Sequence, residues 1–329
     1  MVMDLPVPPS AAGLLDMAVV AKKRETEAVV SLELRGHGGE TLPAFTPGAH
    51  IELELPMPGG VLRRQYSLVN DPAARRHYTI AVGRDANSRG GSSWIHDRLE
   101  PGQVLRVGAP RNRFPLHEEA VRSVLIAGGI GITPILAMAR RLSDLRRPWA
   151  LYYCARTPAQ AAFIEPLMRL GGEVIPVYDR MPGVASLDVA GVVRAADSDT
   201  HLYCCGPGGL MDAFVAACRP RDPRTVHLEW FAAPAAPTTT QVQAEFVVHL
   251  ARSGMTLPVP ANRSILDVVR AAGIDVPHSC LEGICGSCET KVIGGECDHR
   301  DLILADRSSN DSMMICVSRA RSATLTLDI

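Results

Sequence analysis

The sequence lacks several features that would tie it to a membrane or to nucleic acid. No apolar run approaches the ~20 residues needed to span a bilayer, and the opening segment "MVMDLPVPPSAAGLLDMAVV" has no basic stretch ahead of an unbroken apolar core. An excess of one charge is also missing, because 34 Lys and Arg residues stand against 35 Asp and Glu residues and form no basic block. These absences predict a cytoplasmic protein that binds neither nucleic acid nor membranes and whose partners are small molecules or proteins.

Cysteine occurs nine times, which is an odd number, and no secretory signal precedes it. We therefore do not expect a disulfide framework, and we expect the cysteines to ligate a metal or to be free thiols. The sequence shows no internal repeat of fixed period.

Two changes in composition divide the chain. The segment "FAAPAAPTTTQVQ", residues 231–243, carries no charge and no periodicity, which is typical of an extended, fairly stiff tether. Near residues 115–123, turn-rich sequence gives way to an apolar strand, a glycine turn and an amphipathic helix. The predicted organisation is three domains, residues 1–117, 118–231 and 244–329, with residues 232–243 as a linker.

A cysteine pattern near the C terminus is the most specific motif. Cys280, Cys285 and Cys288 are spaced C-x4-C-x2-C, and Cys316 follows in "MMICVSRA". This is the plant-type [2Fe-2S] spacing. Structural zinc is the competing interpretation, although zinc sites usually show two C-x2-C pairs and this segment has one.

The residues around these cysteines predict a small β-grasp fold. "SILDVVRAAG" has the pattern of a helix, with Ser264 as N-cap and Asp267 three residues later. Gly283 and Gly286 would let the cysteine loop approach a cluster closely. Strand patterns occupy "EFVVHLARSG", "TLPVPA", "ETKVIGG" and "ATLTLDI". Ordinary buried or partly buried thiols are expected at Cys154, Cys204, Cys218 and Cys297.

The middle of the chain predicts a dinucleotide site. In "LIAGGIGITP" a strand runs into a glycine turn, and a helix follows; such a turn lets the backbone reach a pyrophosphate at a helix N-terminus. Two further strands, "LYYCART" and "HLYCCGPGGLM", would present their ends to the same crevice. The candidate nucleotide-binding residues are Gly128, Gly129, Gly131, Thr133, Pro134, Arg156, Thr157, Cys205, Gly206 and Pro207.

The first domain offers a candidate anion and ring site. In "RRQYSLVN", Arg64 could hold a phosphate, Tyr66 could stack on a flat ring and Ser67 could hydrogen-bond to its edge. The "GGSS" segment, just before a predicted short helix, would supply N–H groups and hydroxyls to an anion. Its residues are Gly90, Gly91, Ser92 and Ser93.

These motifs together resemble a known family. "RQYSL" is similar to the R-x-Y-S flavin motif of the ferredoxin-NADP reductase superfamily, and "GGIGITP" and "CCGPGGLM" are similar to its pyridine-nucleotide motifs. The order of motifs resembles the phthalate dioxygenase reductase and vanillate demethylase reductase family over nearly the whole chain. That resemblance implies an N-terminal antiparallel flavin-binding β-barrel, a parallel α/β nucleotide-binding domain and a C-terminal β-grasp plant-type ferredoxin.

The resemblance also implies cofactors and residue roles. FMN would have its phosphate held by the "GGSS" turn and Arg64, with Tyr66 beside the isoalloxazine and Ser67 near its reactive nitrogen. Phe231, in "HLEWF", would cover the other flavin face, and Cys205 would lie near the nicotinamide. Ser67, Cys205 and Phe231 are thus the candidate catalytic residues. Ser93 stands where the family often has a basic residue.

The function implied is that of a monomeric, NADH-dependent reductase component of a Rieske-type non-haem iron oxygenase. Electrons would pass from NADH to FMN, to the [2Fe-2S] cluster and to the oxygenase. The alternatives are a reductase for a di-iron monooxygenase or a P450, a redox-responsive binding module, and a zinc-stabilised structural protein. The sequence leaves the oxygenase substrate open, from phthalate or vanillate to a quaternary amine, and Arg156 is compatible with NADH or NADPH.

Overall fold

The computed structural model describes residues 13–58, 60–85, 88, 90–233, 244–304 and 310–329. Residues 1–12 and most of the predicted linker, residues 234–243, lie outside the described part. The chain divides into two compact units, Met1–Phe231 and Ala232–Ile329. The predicted first and second domains therefore share one unit.

The N-terminal half of the first unit is an antiparallel barrel. Its elements are β1 (Leu15–Arg24), β2 (Val29–Gly36), β3 (Ala49–Met57), β4 (Gly60–Ser67), β5 (Tyr78–Gly83), α1 (Gly91–Asp97), β6 (Val104–Val107) and β7 (Arg111–Asn112). The strand order is β4-β3-β6-β1-β2-β5, with β7 paired to β3. A bridge between Leu68 and Ile80 joins the two ends of the curled sheet. Alternate residues of β3, among them Ile51, Leu53 and Leu55, fill the core, as the two-residue period of a strand dictates.

The C-terminal half of the first unit is a parallel sheet with helices. Its elements are β8 (Ser123–Gly128), α2 (Ile132–Asp144), β9 (Trp149–Ala155), α3 (Ile164–Met168), β10 (Glu173–Tyr178), α4 (Val189–Ala195), β11 (His201–Cys205), α5 (Gly208–Cys218) and β12 (Val226–Glu229), with short 3-10 helices at Gly129–Gly131, Pro158–Gln160 and Pro223–Thr225. The order is β10-β9-β8-β11-β12. The chain moves outward from β8 on one side and then returns to its other side, so the switch point lies between β8 and β11. Crevices at such points bind ligands at the carboxyl ends of the strands.

The second unit has the predicted β-grasp form. Its elements are β13 (Phe246–Leu250), β14 (Met255–Val259), α6 (Ile265–Ala271), β15 (Glu289–Gly294), β16 (Cys297–Asp298), β17 (Ser312–Met314), β18 (Arg319–Ala320) and β19 (Thr324–Leu327). The main sheet has the order β14-β13-β19-β15-β17, and β16 pairs with β18. Strands β13 and β19 run parallel, and the other neighbours run antiparallel. Helix α6 has the predicted cap, because the Ser264 hydroxyl accepts a hydrogen bond from the Asp267 N–H.

Candidate functional site

Strand β4 carries the three residues predicted to bind the flavin. Arg64 and Tyr66 are two residues apart and share one face of the strand, and Ser67 ends it. Ser67 is buried opposite His50 of β3. Burial raises the pKa of the Tyr66 phenol, and Arg64 opposes this only partly, so Tyr66 is neutral at ordinary pH.

His50 is a neighbour of Ser67 that the sequence reasoning missed. Its side chain is buried, and its Nε2 atom has no hydrogen-bond partner among the residues that the structure describes. Burial, then the positive charges of Arg111 and Arg113, lowers the pKa of His50 to about 4. The imidazole is therefore neutral at pH 7. The available signal was a histidine at the start of a strand in which apolar and acidic residues alternate.

The "GGSS" segment lies beside Arg64. A Cβ atom added to Gly91 would lie 3.0 Å from the Cγ atom of Arg64, so the glycine leaves room for close approach. Gly90 has a φ of 102°, in the left-handed region that favours glycine, and helix α1 begins at Gly91. Gly91, Ser92 and Ser93 therefore form the first turn rather than precede the helix, which corrects the expectation from the sequence.

This arrangement fits an anionic group. The first N–H groups of a helix have no acceptor within the helix, and here they lie next to a guanidinium group. The Ser92 hydroxyl accepts a hydrogen bond of 3.2 Å from the Asp85 N–H, which ties the turn to the preceding loop. A phosphate suits such a combination of donors and positive charge.

Two glycine turns meet at the switch point between β8 and β11. A Cβ atom on Gly131 would collide with the backbone carbonyl of Cys205. One on Gly128 would lie 3.4 Å from the Cα atom of Gly206. Gly129 has a φ of 54°, again in the left-handed region. The backbones of the two predicted nucleotide motifs thus lie against one another, which fits a dinucleotide that needs close backbone approach.

The remaining predicted nucleotide residues divide into buried and accessible groups. Thr133 and Pro134 are buried in the first turn of α2, and the Thr133 hydroxyl donates to the Ile130 carbonyl at 3.0 Å. These two residues shape the turn, and direct contact between them and a ligand stays a prediction. Arg156, at the end of β9, and Pro207, before α5, are exposed, while Thr157 is half-buried.

Glu229 is an acidic residue beside Cys205 that the sequence reasoning passed over. Cys205 is fully buried, and its register partner in β12 is Glu229. Burial raises the pKa of Glu229 to about 8, and its Oε2 atom has no hydrogen-bond partner in the described residues. Burial, then Glu229, raises the pKa of the Cys205 thiol well above its usual value. Both groups are therefore neutral at pH 7.

Phe231 follows this pair at the end of the first unit. Its side chain is 41% exposed, which is high for an aromatic residue. An exposed ring suits a side chain that covers a ligand. Its contact with a flavin remains a prediction.

The cysteine loop of the second unit brings its sulfur atoms together. Side-chain contacts link Cys280 with Cys285 and with Cys316, and Cys288 with Cys316. Contacts with Cys285 and Cys316 lower the pKa of Cys280, and contact with Cys316 lowers that of Cys288. The Glu282 N–H donates to the Cys280 Sγ atom at 3.3 Å. Contact with Cys280 raises the pKa of Cys285 and of Cys316, so the four thiols share protons among themselves. N–H donors aimed at sulfur are what a cluster requires.

The loop geometry depends on glycine. Gly283 has a φ of 72° and lies against Asp301, whose Cα atom would be 3.0 Å from an added Cβ. Gly286 has a φ of 74°. Asp301 is itself buried and accepts a hydrogen bond of 3.0 Å from the Ser318 hydroxyl. The predicted need for glycine at positions 283 and 286 agrees with this close packing.

The spread of the sulfur atoms favours a two-iron cluster over a single zinc ion. Four thiolates around one zinc at about 2.3 Å would all lie within about 3.8 Å of one another. Among the described residues, three histidines have ligand atoms that all lie within 4.8 Å of one another, and no three of these cysteines do. The four sulfur atoms thus meet in pairs rather than around one point, an arrangement that suits two irons better than one tetrahedral ion.

The other cysteines are free thiols, as predicted. Cys204, Cys218 and Cys297 are buried, and Cys154 is partly buried. Burial raises the pKa of the Cys218 and Cys154 thiols to about 11. These thiols are protonated at neutral pH and suit packing rather than metal ligation.

Among the helices that the structure describes, none is long and apolar enough to cross a membrane.

Comparison with known proteins supports the ferredoxin domain directly. The 2Fe-2S iron-sulfur cluster binding domain family matches residues 248–321, which include all four cysteines of the predicted set. The chain is also 47% identical over 303 residues to the phenoxybenzoate dioxygenase subunit beta of Ectopseudomonas oleovorans, covering 92% of this chain and 93% of that protein.

Two solved structures extend the similarity to the whole chain. A self-sufficient type IV cytochrome P450 monooxygenase is 36% identical with a TM-score of 0.86, covering 99% of this chain but 43% of that longer one. Phthalate dioxygenase reductase, described as a modular structure for electron transfer from pyridine nucleotides to [2Fe-2S], is 40% identical with a TM-score of 0.71, covering 98% of this chain and 100% of that one. With its fold, motifs and full length matched, this chain belongs to the phthalate dioxygenase reductase family of oxidoreductases.

Proposed function

We propose that the protein is the NADH-dependent reductase component of a Rieske-type non-haem iron oxygenase system. It is an oxidoreductase that uses FMN, NADH and a [2Fe-2S] cluster, as its family does. The observation that carries the proposal is the full-length match to phthalate dioxygenase reductase, in which barrel, parallel sheet and ferredoxin occur in the same order. The relative named phenoxybenzoate dioxygenase subunit beta supports an oxygenase as acceptor.

The barrel residues hold and orient the flavin in this proposal. Arg64 and the first turn of α1 bind the phosphate, because they juxtapose a guanidinium group with N–H donors. Tyr66 would lie beside the isoalloxazine, and the buried Ser67 hydroxyl would donate to its reactive edge. When bound, the flavin converts the electron pair of a hydride into two single electrons.

The crevice residues position the nicotinamide. Gly128, Gly131 and Gly206 allow the dinucleotide to approach the backbone closely, and Cys205 ends β11 directly before Gly206. The Glu229 carboxyl holds a proton below about pH 8, so it adds no negative charge beside an anionic dinucleotide at neutral pH. Phe231, whose ring is exposed, would cover the opposite flavin face.

The four cysteines hold the cluster as two pairs. The side-chain contacts run from Cys285 to Cys280, from Cys280 to Cys316 and from Cys316 to Cys288. We assign the two outer contacts, Cys280 with Cys285 and Cys288 with Cys316, to one iron each. Cys280 and Cys316 are half-exposed, whereas Cys285 and Cys288 are buried. Cys280 and Cys316 thus lie on the side of the loop from which an acceptor takes electrons.

A transfer experiment tests the acceptor class. The purified holoprotein is mixed anaerobically with NADH and either an oxidised Rieske oxygenase or a ferric P450, and reduction is followed by the Rieske absorbance change or by carbon monoxide binding to the haem. We expect the Rieske centre to be reduced within catalytic times and the P450 to be reduced much more slowly. Faster reduction of the P450 would refute the Rieske assignment while leaving the reductase intact.

A P450 is the second candidate acceptor, and one observation favours it. The reductase-like part of a self-sufficient P450 has the same fold over nearly this whole chain. In that protein the haem domain belongs to the same polypeptide, whereas this chain spans less than half of it. The same experiment distinguishes the two acceptors.

A further inference from the structure

Three histidines converge in the first unit away from the residues discussed so far. Ring nitrogens of His117, His201 and His227 all lie within 4.8 Å of one another. The Nδ1 atom of His201 is 2.9 Å from the Nε2 atom of His227, and the His117 ring stacks on the His227 ring with centroids 4.6 Å apart. The flavin, nucleotide and cluster sites use none of these side chains.

The three histidines lie towards the amino-terminal ends of β11 and β12, whereas the nucleotide crevice lies at the carboxyl ends of the strands. His201 begins β11, whereas Cys205 ends it, which separates them by about 13 Å at about 3.3 Å per residue. His227 is the register partner of Tyr203 in the neighbouring strand, and their rings are stacked at 4.5 Å. His201 is therefore well separated from the glycine turns of the crevice, while His227 lies two residues before Glu229 in β12.

The segment between the barrel and the parallel sheet supplies the third histidine. His117 lies between β7 and β8, and its N–H donates to the Tyr203 hydroxyl at 2.9 Å. This bond fixes the backbone of the segment above β11 and β12. The His117 side chain is exposed, and the other two are half-buried, so the group is reachable from solvent.

Imidazole nitrogens suit the divalent ions late in the first transition row, including Ni2+, Cu2+ and Zn2+. The 2.9 Å between the His201 and His227 nitrogens is a hydrogen-bond distance. Ligands bound at 2.0–2.1 Å need a separation of about 2.9 Å at right angles or about 3.4 Å at the tetrahedral angle, so a small shift of the rings accommodates an ion. Water from the open side can fill the remaining positions.

We propose that His117, His201 and His227 form a binding site for one late first-row divalent metal ion. Binding requires the proton of the present histidine–histidine hydrogen bond to move to the far nitrogen of its own ring, which is a change of tautomer without net proton release. The bound ion joins the connecting segment to β11 and β12. It thereby crosslinks the segment between β7 and β8 to the parallel sheet.

Nickel binding to the holoprotein tests this site. The protein, without an affinity tag and with FMN and cluster in place so that the cluster cysteines are occupied, is dialysed against NiCl2, and nickel is measured against chain concentration. We expect one nickel per chain, no comparable binding of Mg2+, and a loss of affinity of at least about tenfold in His117→Gln and in His227→Gln. His249→Gln, which removes an exposed histidine of the second unit, should bind nickel as the parent does.

The readouts separate a ligand from a packing residue. His117 is exposed, so its substitution should leave the FMN content and visible spectrum unchanged while nickel is lost. In the oxidised protein loaded with Cu2+, the electron paramagnetic resonance spectrum should show coupling to several nitrogens, and fewer in His117→Gln. Nickel binding that is absent from the parent, or equal in the parent and in both His117→Gln and His227→Gln, would overturn the proposal and leave the histidines as a stacked aromatic wall.

Discussion

The cysteine loop of the second unit and the dinucleotide crevice of the first are built from different parts of the chain. The loop presents side chains, three of them from one short segment and a fourth from Cys316. The crevice presents backbone, where Gly128 and Gly131 lie against Cys205 and Gly206 from a distant strand. A side-chain site therefore leaves a spacing in the sequence, whereas a backbone site depends on which strands the topology makes neighbours. The two sites should also respond differently to substitution. The cysteine loop should be sensitive to the chemical identity of a side chain, and the crevice to the volume of one.

The largest effect is expected from the loss of a cluster ligand. In Cys288→Ser the cluster should be absent, and cytochrome c reduction should fall at least about 100-fold, because a thiolate ligand is removed. NADH-dependent reduction of ferricyanide should persist, since small dyes take electrons from the flavin. Iron analysis and the two activities measure these outcomes.

Cys297→Ala provides the matched control, because Cys297 is equally buried in the same unit but lies outside the four-cysteine set. It should keep its iron and its cytochrome c activity. If Cys288→Ser retained FMN but no longer reduced ferricyanide, the proposed order of electron carriers would be wrong.

A smaller but still large effect is expected from one added methyl group in the crevice. In Gly131→Ala the new Cβ would meet the Cys205 carbonyl, and overpacking of this kind costs about 1–3 kcal/mol. Because the clash displaces the two backbones that the dinucleotide must approach, kcat/KM for NADH with ferricyanide should fall about 10- to 100-fold. FMN content should stay unchanged.

Gly209→Ala is the control for that substitution. No atom lies within 4 Å of the position that its new methyl group would take, and the residue falls within helix α5, where alanine is preferred. A similar loss in both variants would show that the crevice responds to rigidity rather than to close approach.

The same contrast explains how far the sequence could predict the site. The four cysteines, the glycine turn before α2 and the cap of α6 depend on neighbours along the chain, so local spacing indicated them. His50, Glu229 and the three histidines derive their environments from register across strands, such as His227 opposite Tyr203. Burial of Thr133 and the start of α1 at Gly91 also follow from packing. A single sequence does not report pairing between distant strands.

Glu229 offers a pH test of this hidden part of the crevice. Burial raises its pKa from an ordinary value of 4.5 to about 8, so between these values the folded protein holds a proton that the unfolded chain releases. The stabilising contribution is complete below pH 4.5 and is lost as the pH rises to about 8. From pH 6 to pH 9 the free energy of unfolding should therefore fall about 2–3 kcal/mol more in the parent than in Glu229→Gln.

Urea unfolding of the first unit, followed by flavin fluorescence at each pH, measures this difference. Asp212→Asn removes an exposed acid of α5 and should follow the parent curve. Parallel pH curves for the parent and Glu229→Gln would mean that the carboxyl is ionised in the folded protein at neutral pH.

The smallest effect is expected where the second unit uses a purely local signal. The Ser264 hydroxyl accepts from the Asp267 N–H at 3.1 Å, and the Asp267 carboxylate accepts from the Ser264 N–H at 3.2 Å. Leu266, the second residue of α6, donates its N–H to the Ile315 carbonyl at 3.0 Å. Ile315 directly precedes the proposed cluster ligand Cys316. Ser264→Ala should cost about 1 kcal/mol, the usual cost of losing an N-cap, and should lower the midpoint of thermal cluster bleaching by about 4–8 °C. Ser253→Ala, at an exposed turn of the same unit, should leave that midpoint unchanged.

Because the cap supports the segment next to Cys316 and not the thiolates themselves, iron content and cytochrome c reduction at low temperature should match the parent. Loss of iron at low temperature in Ser264→Ala would instead show that the cap helps to position the ligand, and that the cluster site depends on packing as much as the crevice does.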